Sequence, residues 1–218
     1  MPIEEPRESA IISAKPEPID AVPIDLTPTK SKPRRKRSGG TPDLRRIRPE
    51  EVAAACVAAP AHALLMRLLF ATGARLSEVV GRDGLTVQAI DFASATARLR
   101  TLKRRGEHHR VVPLPATILG QLAQRIAAEH LGPDARLFPF TRQYAHGVIR
   151  KALLSVGVDA HRARPHALRH GHAFHAIGGG VPITVVQKML GHSSPLTTAI
   201  YLSATAADVR AAYSKVEF

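Results

Sequence analysis

The sequence predicts a mainly α-helical fold with a small three-stranded antiparallel sheet set among the helices. Two patterns predict it. Apolar residues recur at three- and four-residue spacing through most of the chain beyond residue 45. Between residues 86 and 114 the period shortens to two over three brief runs, as half-buried strands require. Residues 1–44 show neither period. Pro16, Pro18, Pro23, Pro28 and Pro33 interrupt them, and Lys30 to Arg37 form a dense basic run. Such a segment buries too little apolar surface to offset its ordering entropy, so it is expected to be a disordered tail. Its basic run is either a solvated linker or an arm along a polyanion.

The elements follow in order. Pro49, Glu50 and Glu51 open a first helix carried on by Val52–Ala59, with proline and carboxylates where a helix N-terminus favours them. A second helix spans His62–Thr72, and Gly73 ends it. Arg75–Val80 begins a short third. Thr86–Phe92, Thr96–Leu102 and Arg110–Leu114 read as strands. Pro115–His130 is helical, with Ile118, Leu119, Leu122 and Ile126 on one stripe. Further helices are expected at 141–155, 166–177, 182–190, 195–202 and 205–214. Gly178 to Gly180 follow a helix and read as its stop and turn, not as a nucleotide loop.

Charge narrows the function. The 218 residues include 31 Lys and Arg against 18 Asp and Glu, a formal +13. That surplus favours a polyanionic partner, because each neutralised phosphate releases condensed counterions. Arginine outnumbers lysine, which suits forked bonding to phosphate oxygens. The single cysteine, Cys56, reads as a small buried apolar residue and implies a reducing, cytosolic setting. Neither a secretory leader nor a membrane-spanning apolar run is evident.

Several polar residues sit where chemistry is possible. Arg75 stands at a helix start beside a glycine turn, with Glu78 one turn on to hold its guanidinium. Lys103 lies in the turn of a hairpin, beside Arg104 and Arg105. His166 and Arg169 fall at i and i+3 of a helix opened by Pro165, which points them the same way. His192 follows a helix end, and Tyr201 comes nine residues later. His166 and His170 share a helix face, but no carboxylate or thiolate lies nearby in sequence, so no metal site is expected. Tyr144 and Tyr213 read as packing residues, and His170 as a helix or core contact.

The stretches ATGARLSEVV, TLKRRGEHHRVVPL, PHALRHGHAFHAIGGGVPITVVQKMLGH and SSPLTTAIYL, in this order, resemble the catalytic domain of the tyrosine recombinase (phage integrase) family. The block from His166 to Tyr201 is the most specific part. The resemblance implies the integrase-like catalytic-core fold over residues 45–218, including a C-terminal helix. It implies site-specific cutting and rejoining of double-stranded DNA, with Tyr201 forming a 3′-phosphotyrosine link. Arg75 and Arg169 would clamp the phosphate, since guanidinium stays charged at working pH. Lys103 would protonate the leaving 5′-oxygen; Arg104 and Arg105 are rivals by position but poor proton donors. His166 would accept the phenol proton or bond the phosphate, and His192 would donate to a non-bridging oxygen. No cofactor, metal or nucleotide is implied. The partners implied are DNA, a homotetramer on paired sites, and accessory DNA-bending proteins, in a bacterial cytoplasm.

Two other readings use much the same residues: a type IB topoisomerase that relaxes DNA, and a DNA-binding regulator without catalysis. Filled reacting positions argue against the second. Two features depart from the family. Lys103 stands about two residues further from Pro113 than the usual pattern. A Pro-rich basic tail also precedes the catalytic region where most members carry a helical clamp domain, so the chain resembles short, catalytic-domain-only members. Residues 203–218 would dock on a neighbouring subunit. From the charge and the missing clamp we expect weak, salt-sensitive DNA binding by the monomer. Gel shifts across a salt series would check this, and nanomolar affinity indifferent to salt would contradict it.

Overall fold

Helix α1 (Pro49–Ala58) begins where proline, lacking an N–H, is least costly. Glu51 ties its start by accepting the Arg48 N–H at 2.8 Å. The same carboxylate takes Arg162 at 2.7 Å from the loop before a distant helix. This is a computed structural model, and it describes residues 47–101 and 108–191. All of them fall in the second of the two units into which the chain divides, Gly40–Phe218.

A 3-10 turn at Pro60–His62 leads into α2 (Ala63–Thr72), which ends at Gly73 in the left-handed region. One turn of helix, α3 (Leu76–Val79), follows with Arg75 as its N-cap. The three-stranded antiparallel sheet comes next, in the order β1 (Ile90–Asp91), β2 (Thr96–Thr101), β3 (His108–Pro113). Four helices complete the described chain: α4 (Ala116–Ala128), α5 (Arg142–Ser155), α6 (Pro165–Gly178) and α7 (Ile183–Leu190). The fold is therefore mainly helical with a small antiparallel sheet, as the sequence predicts. The helices expected at 195–202 and 205–214, and the tail at 1–44, lie outside the described residues. No helix among the described residues is long and apolar enough to cross a membrane.

Two strand boundaries differ from expectation. Of the predicted strand Thr86–Phe92, only Ile90 and Asp91 pair with β2. Val87 and Gln88 instead give their N–H groups to the carbonyls of Ala135 and Pro133, which folds Val87–Ala89 into a 3-10 turn. Strand β3 starts at His108, two residues before Arg110, because the ladder with β2 runs on to the Thr101–His108 pair. Strand pairing here overrides the weak strand preference of consecutive histidines.

The core lies between the helices and one face of the sheet. Ala97, Leu99 and Val112 turn inward from the sheet, against Leu65, Leu68, Leu69, Ile118, Leu122, Ile149 and Leu168 from the helices. Arg98 and Val111 face outward, as a period of two demands. Cys56 is buried, as expected. Tyr144 packs against His62 and Phe140, as expected of it, though at the surface: it is half exposed, and its hydroxyl lies 3.2 Å from His62 Nε2. A satellite cluster of Ala173, Val186 and Leu190 joins α6 to α7.

Gly171 marks the closest approach of chain segments. A Cβ there would run into the Ile47 carbonyl oxygen and come within 2.9 Å of the Phe70 ring. The Ile47 N–H is bonded to the Ala167 carbonyl one turn earlier on α6, so the strand-like entry to α1 cannot easily retreat. Gly171→Ala is expected to lower unfolding stability by about 1–3 kcal/mol, as overpacking does. Urea denaturation of the variant beside the parent checks it.

Candidate active site

The link between α2 and α3 fixes Arg75. Thr72 Oγ1 donates to the Leu68 carbonyl at 2.7 Å and accepts the Ala74 N–H at 3.3 Å. Gly73, at φ +61°, then reverses the chain. A Cβ at Gly73 would lie 2.6 Å from both His172 Cδ2 and Leu190 Cδ2, so glycine is required by packing as well as by conformation. Arg75 thus starts α3 in an extended conformation. Its N–H donates to Glu78 Oε2 at 2.8 Å and its Nη1 to Glu78 Oε1 at 2.8 Å. The i, i+3 support expected of Glu78 is present.

Glu78 is 1% exposed and has a second arginine that sequence reasoning passed over. Arg110 on β3 donates from Nη1 and Nη2 to the two carboxylate oxygens at 2.9 and 2.7 Å. Its Nε donates to the Met189 carbonyl at the end of α7, at 2.7 Å. Burial pushes the Glu78 carboxyl up, but the Arg110 bonds and charge, then the hydrogen bonds from Arg75, outweigh it and hold it below the usual range. A signal for Arg110 did exist. In the run HHRVVP, Arg110 shares a strand face with Val112, which the alternation sends inward.

Arg169 on α6 is 2% exposed. Its Nη1 donates to the Gly73 carbonyl at 2.7 Å and its Nη2 to the Leu190 carbonyl at 2.6 Å. Carbonyls orient a guanidinium without neutralising it. Gly73 is two residues before Arg75, so that bond ties the segment that carries Arg75 to Arg169, 94 positions on in the chain. His166 is exposed at the start of α6, with its ring edge-on to His170 at 4.7 Å. Lys103, His192 and Tyr201 lie outside the described residues.

His172, on the next turn of α6, packs under Gly73 and is 7% exposed. Burial, and after it the charges of Arg169 and His175, depress its pKa from 6.5 to about 4 despite a backbone bond to Phe70. The imidazole is neutral at physiological pH. Unfolding restores the ordinary value, so the unfolded chain binds the extra proton between those two limits. This part of the stability is complete above pH 6.5 and is lost as pH falls toward 4. The full effect is at most roughly 3 kcal/mol. His172→Phe should flatten the loss of stability between pH 6.5 and 4.5, read from denaturation midpoints at several pH values.

The comparisons with known proteins agree with this geometry. Residues 45–208 match the phage integrase family. Tyrosine recombinase XerD of Corynebacterium glutamicum is 35% identical over 161 residues, covering 67% of this chain and 49% of that protein. Tyrosine recombinase XerC of Mesorhizobium japonicum is 33% identical over 150 residues, covering 64% and 46%. The chain therefore spans about half the length of the curated relatives it matches. Among solved structures, the XerA recombinase superposes with a TM-score of 0.62 at 22% identity, over 90% of this chain and 70% of that one. The catalytic domain of bacteriophage HP1 integrase gives 0.57 at 21% identity, over 78% and 94%. A match across three quarters of the sequence, on the fold those structures share, means that the chain belongs to the phage integrase family.

Proposed function

We propose that residues 45–218 are the catalytic domain of a site-specific DNA recombinase that cuts and rejoins strands through Tyr201. The observation that supports this reading is the Arg169 bond to the Gly73 carbonyl, two residues before Arg75 in the chain. Family membership supplies the reaction class. A solved neighbour, XerH, is described as bound to its difH substrate in a pre-cleavage complex; it superposes with a TM-score of 0.62 at 20% identity, over 76% of this chain and 52% of that one. Double-stranded DNA is accordingly the substrate we assign here.

In this reaction the Tyr201 phenol oxygen attacks phosphorus and loses its proton, to His166 or to solvent. The bond from phosphorus to the 5′-oxygen breaks, and Lys103 protonates that oxygen as it leaves. Charge gathers on the non-bridging oxygens, where Arg75, Arg169 and His192 donate. Rejoining reverses the steps with a 5′-hydroxyl from another strand, so the energy of the cleaved bond is kept in the phosphotyrosine. A homotetramer on paired sites, helped by DNA-bending proteins, is the assembly this chemistry would use.

Nicked suicide substrates drawn from DNA flanking the gene test the proposal. The parent protein should form a covalent protein–DNA adduct, and Tyr201→Phe should form none. An adduct of equal yield in Tyr201→Phe would place the nucleophile elsewhere. Relaxation of supercoiled plasmid without strand exchange would move the reading to a topoisomerase.

A further inference from the structure

The last carbonyls of a helix have no partner within it and carry the negative end of its dipole. At the end of α7 two consecutive carbonyls are each taken by an arginine from a different element. Met189 accepts from Arg110 of β3 at 2.7 Å, and Leu190 accepts from Arg169 of α6 at 2.6 Å. Arg110 continues from there to both oxygens of Glu78, which in turn holds Arg75 by its backbone and its side chain. Gly191 leaves room for this path, since a Cβ there would sit 3.2 Å from Arg110 Cδ.

We propose that Arg110 is a positioning residue, which sets Arg75 against Arg169 by referring both to the same end of α7. The inference rests on the recombinase reading for its consequence, though not for its geometry. Arg110 touches no reacting atom in this scheme. It acts through Glu78, whose carboxylate would otherwise be held by Arg75 alone, with nothing to refer the pair to α7. The forked shape of guanidinium is essential here. Arg110 spends Nη1 and Nη2 on one carboxylate and Nε on a carbonyl facing another way, and an ammonium on a single carbon stem cannot make that set of bonds. The site is also nearly dry, with the Arg110 side chain 9% exposed and that of Glu78 fully buried, so solvent does not substitute for a lost bond.

The experiment compares Arg110→Lys, Arg110→Ala, Glu78→Gln and the double variant Arg110→Ala/Glu78→Gln in the full chain. Single-turnover cleavage of nicked DNA and DNA affinity are measured side by side, together with thermal melting. The Nε–H and Nη resonances of Arg75 are followed by NMR without DNA. We expect Arg110→Lys to melt near the parent and bind DNA as tightly, yet to cleave roughly 100-fold more slowly, the scale of a misplaced reacting group. Arg110→Ala should cleave no faster than Arg110→Lys. The double variant should be no worse than the poorer single one, because both changes break one chain of contacts. In every variant the Arg75 guanidinium signals should move from slow to fast rotation. Parental cleavage in Arg110→Lys, additive losses in the double variant, or Arg75 signals that stay slow would each overturn the inference. If the parent itself forms no adduct, the recombinase reading fails, and the Arg75 signals still decide whether Arg110 positions it.

Discussion

A buried guanidinium has to find acceptors for its donors, and much of the described site follows from how Arg110 and Arg169 meet that demand. Leaving one such charge unpaired costs several kcal/mol, comparable with the whole stability of a small domain. The acceptors used are the Glu78 carboxylate and the carbonyls of Gly73, Met189 and Leu190. Each of these lies at an end: the start of α3, the stop of α2, and the last turn of α7. Helix ends have unbonded polar groups to offer, which helix middles do not. The arginines therefore gather where elements terminate, and they draw those termini together.

Glycine at position 73 is what allows the gathering. Its carbonyl receives Arg169 while its bare α-carbon lies against His172 and Leu190. A side chain there would separate α2 from α6 and α7 and lengthen the Arg169 bonds. The turn after it delivers Arg75 with its own N–H already committed to Glu78. The local rule for ending a helix and the global need to place a cation are thus met by the same three residues.

Much of this was legible in the sequence, and the reasons differ from part to part. Helices α4, α5, α6 and α7 announced themselves by an apolar stripe or a proline at the start, both of which act locally. Arg75, His166 and Arg169 were found by resemblance, and Glu78 by its three-residue spacing from Arg75. Strand β1 was overestimated because Val87 and Gln88 bond to Ala135 and Pro133 in a distant loop, which no local pattern reports. Arg110 was overlooked for a related reason. It was read only as the first residue of a strand, whereas its parity with Val112 places it on the inward face. The burial of His172 followed from neither pattern, since His170, His172 and His175 are interspersed with Gly171, Ala173 and Phe174 and no clean apolar stripe runs through them.

The charges held in these positions bear on why the site has this composition. Three guanidiniums less one carboxylate leave two positive charges among Arg75, Arg110, Arg169 and Glu78. On the recombinase reading, a phosphodiester arrives with about one negative charge, and in-line attack by a phenolate brings the total to about two. Were Glu78 neutral or missing, Arg75 and Arg110 would lose their shared acceptor, and a third uncompensated cation would be left in a nearly dry site at a cost in stability. Were His172 protonated, it would add a charge of the same kind beneath Gly73, and its depressed pKa keeps it from doing so. One carboxylate and one neutral imidazole thus hold the described cluster near the charge that the transition state, and not the resting DNA, presents. The same bonds that set its charge also close the fold around it.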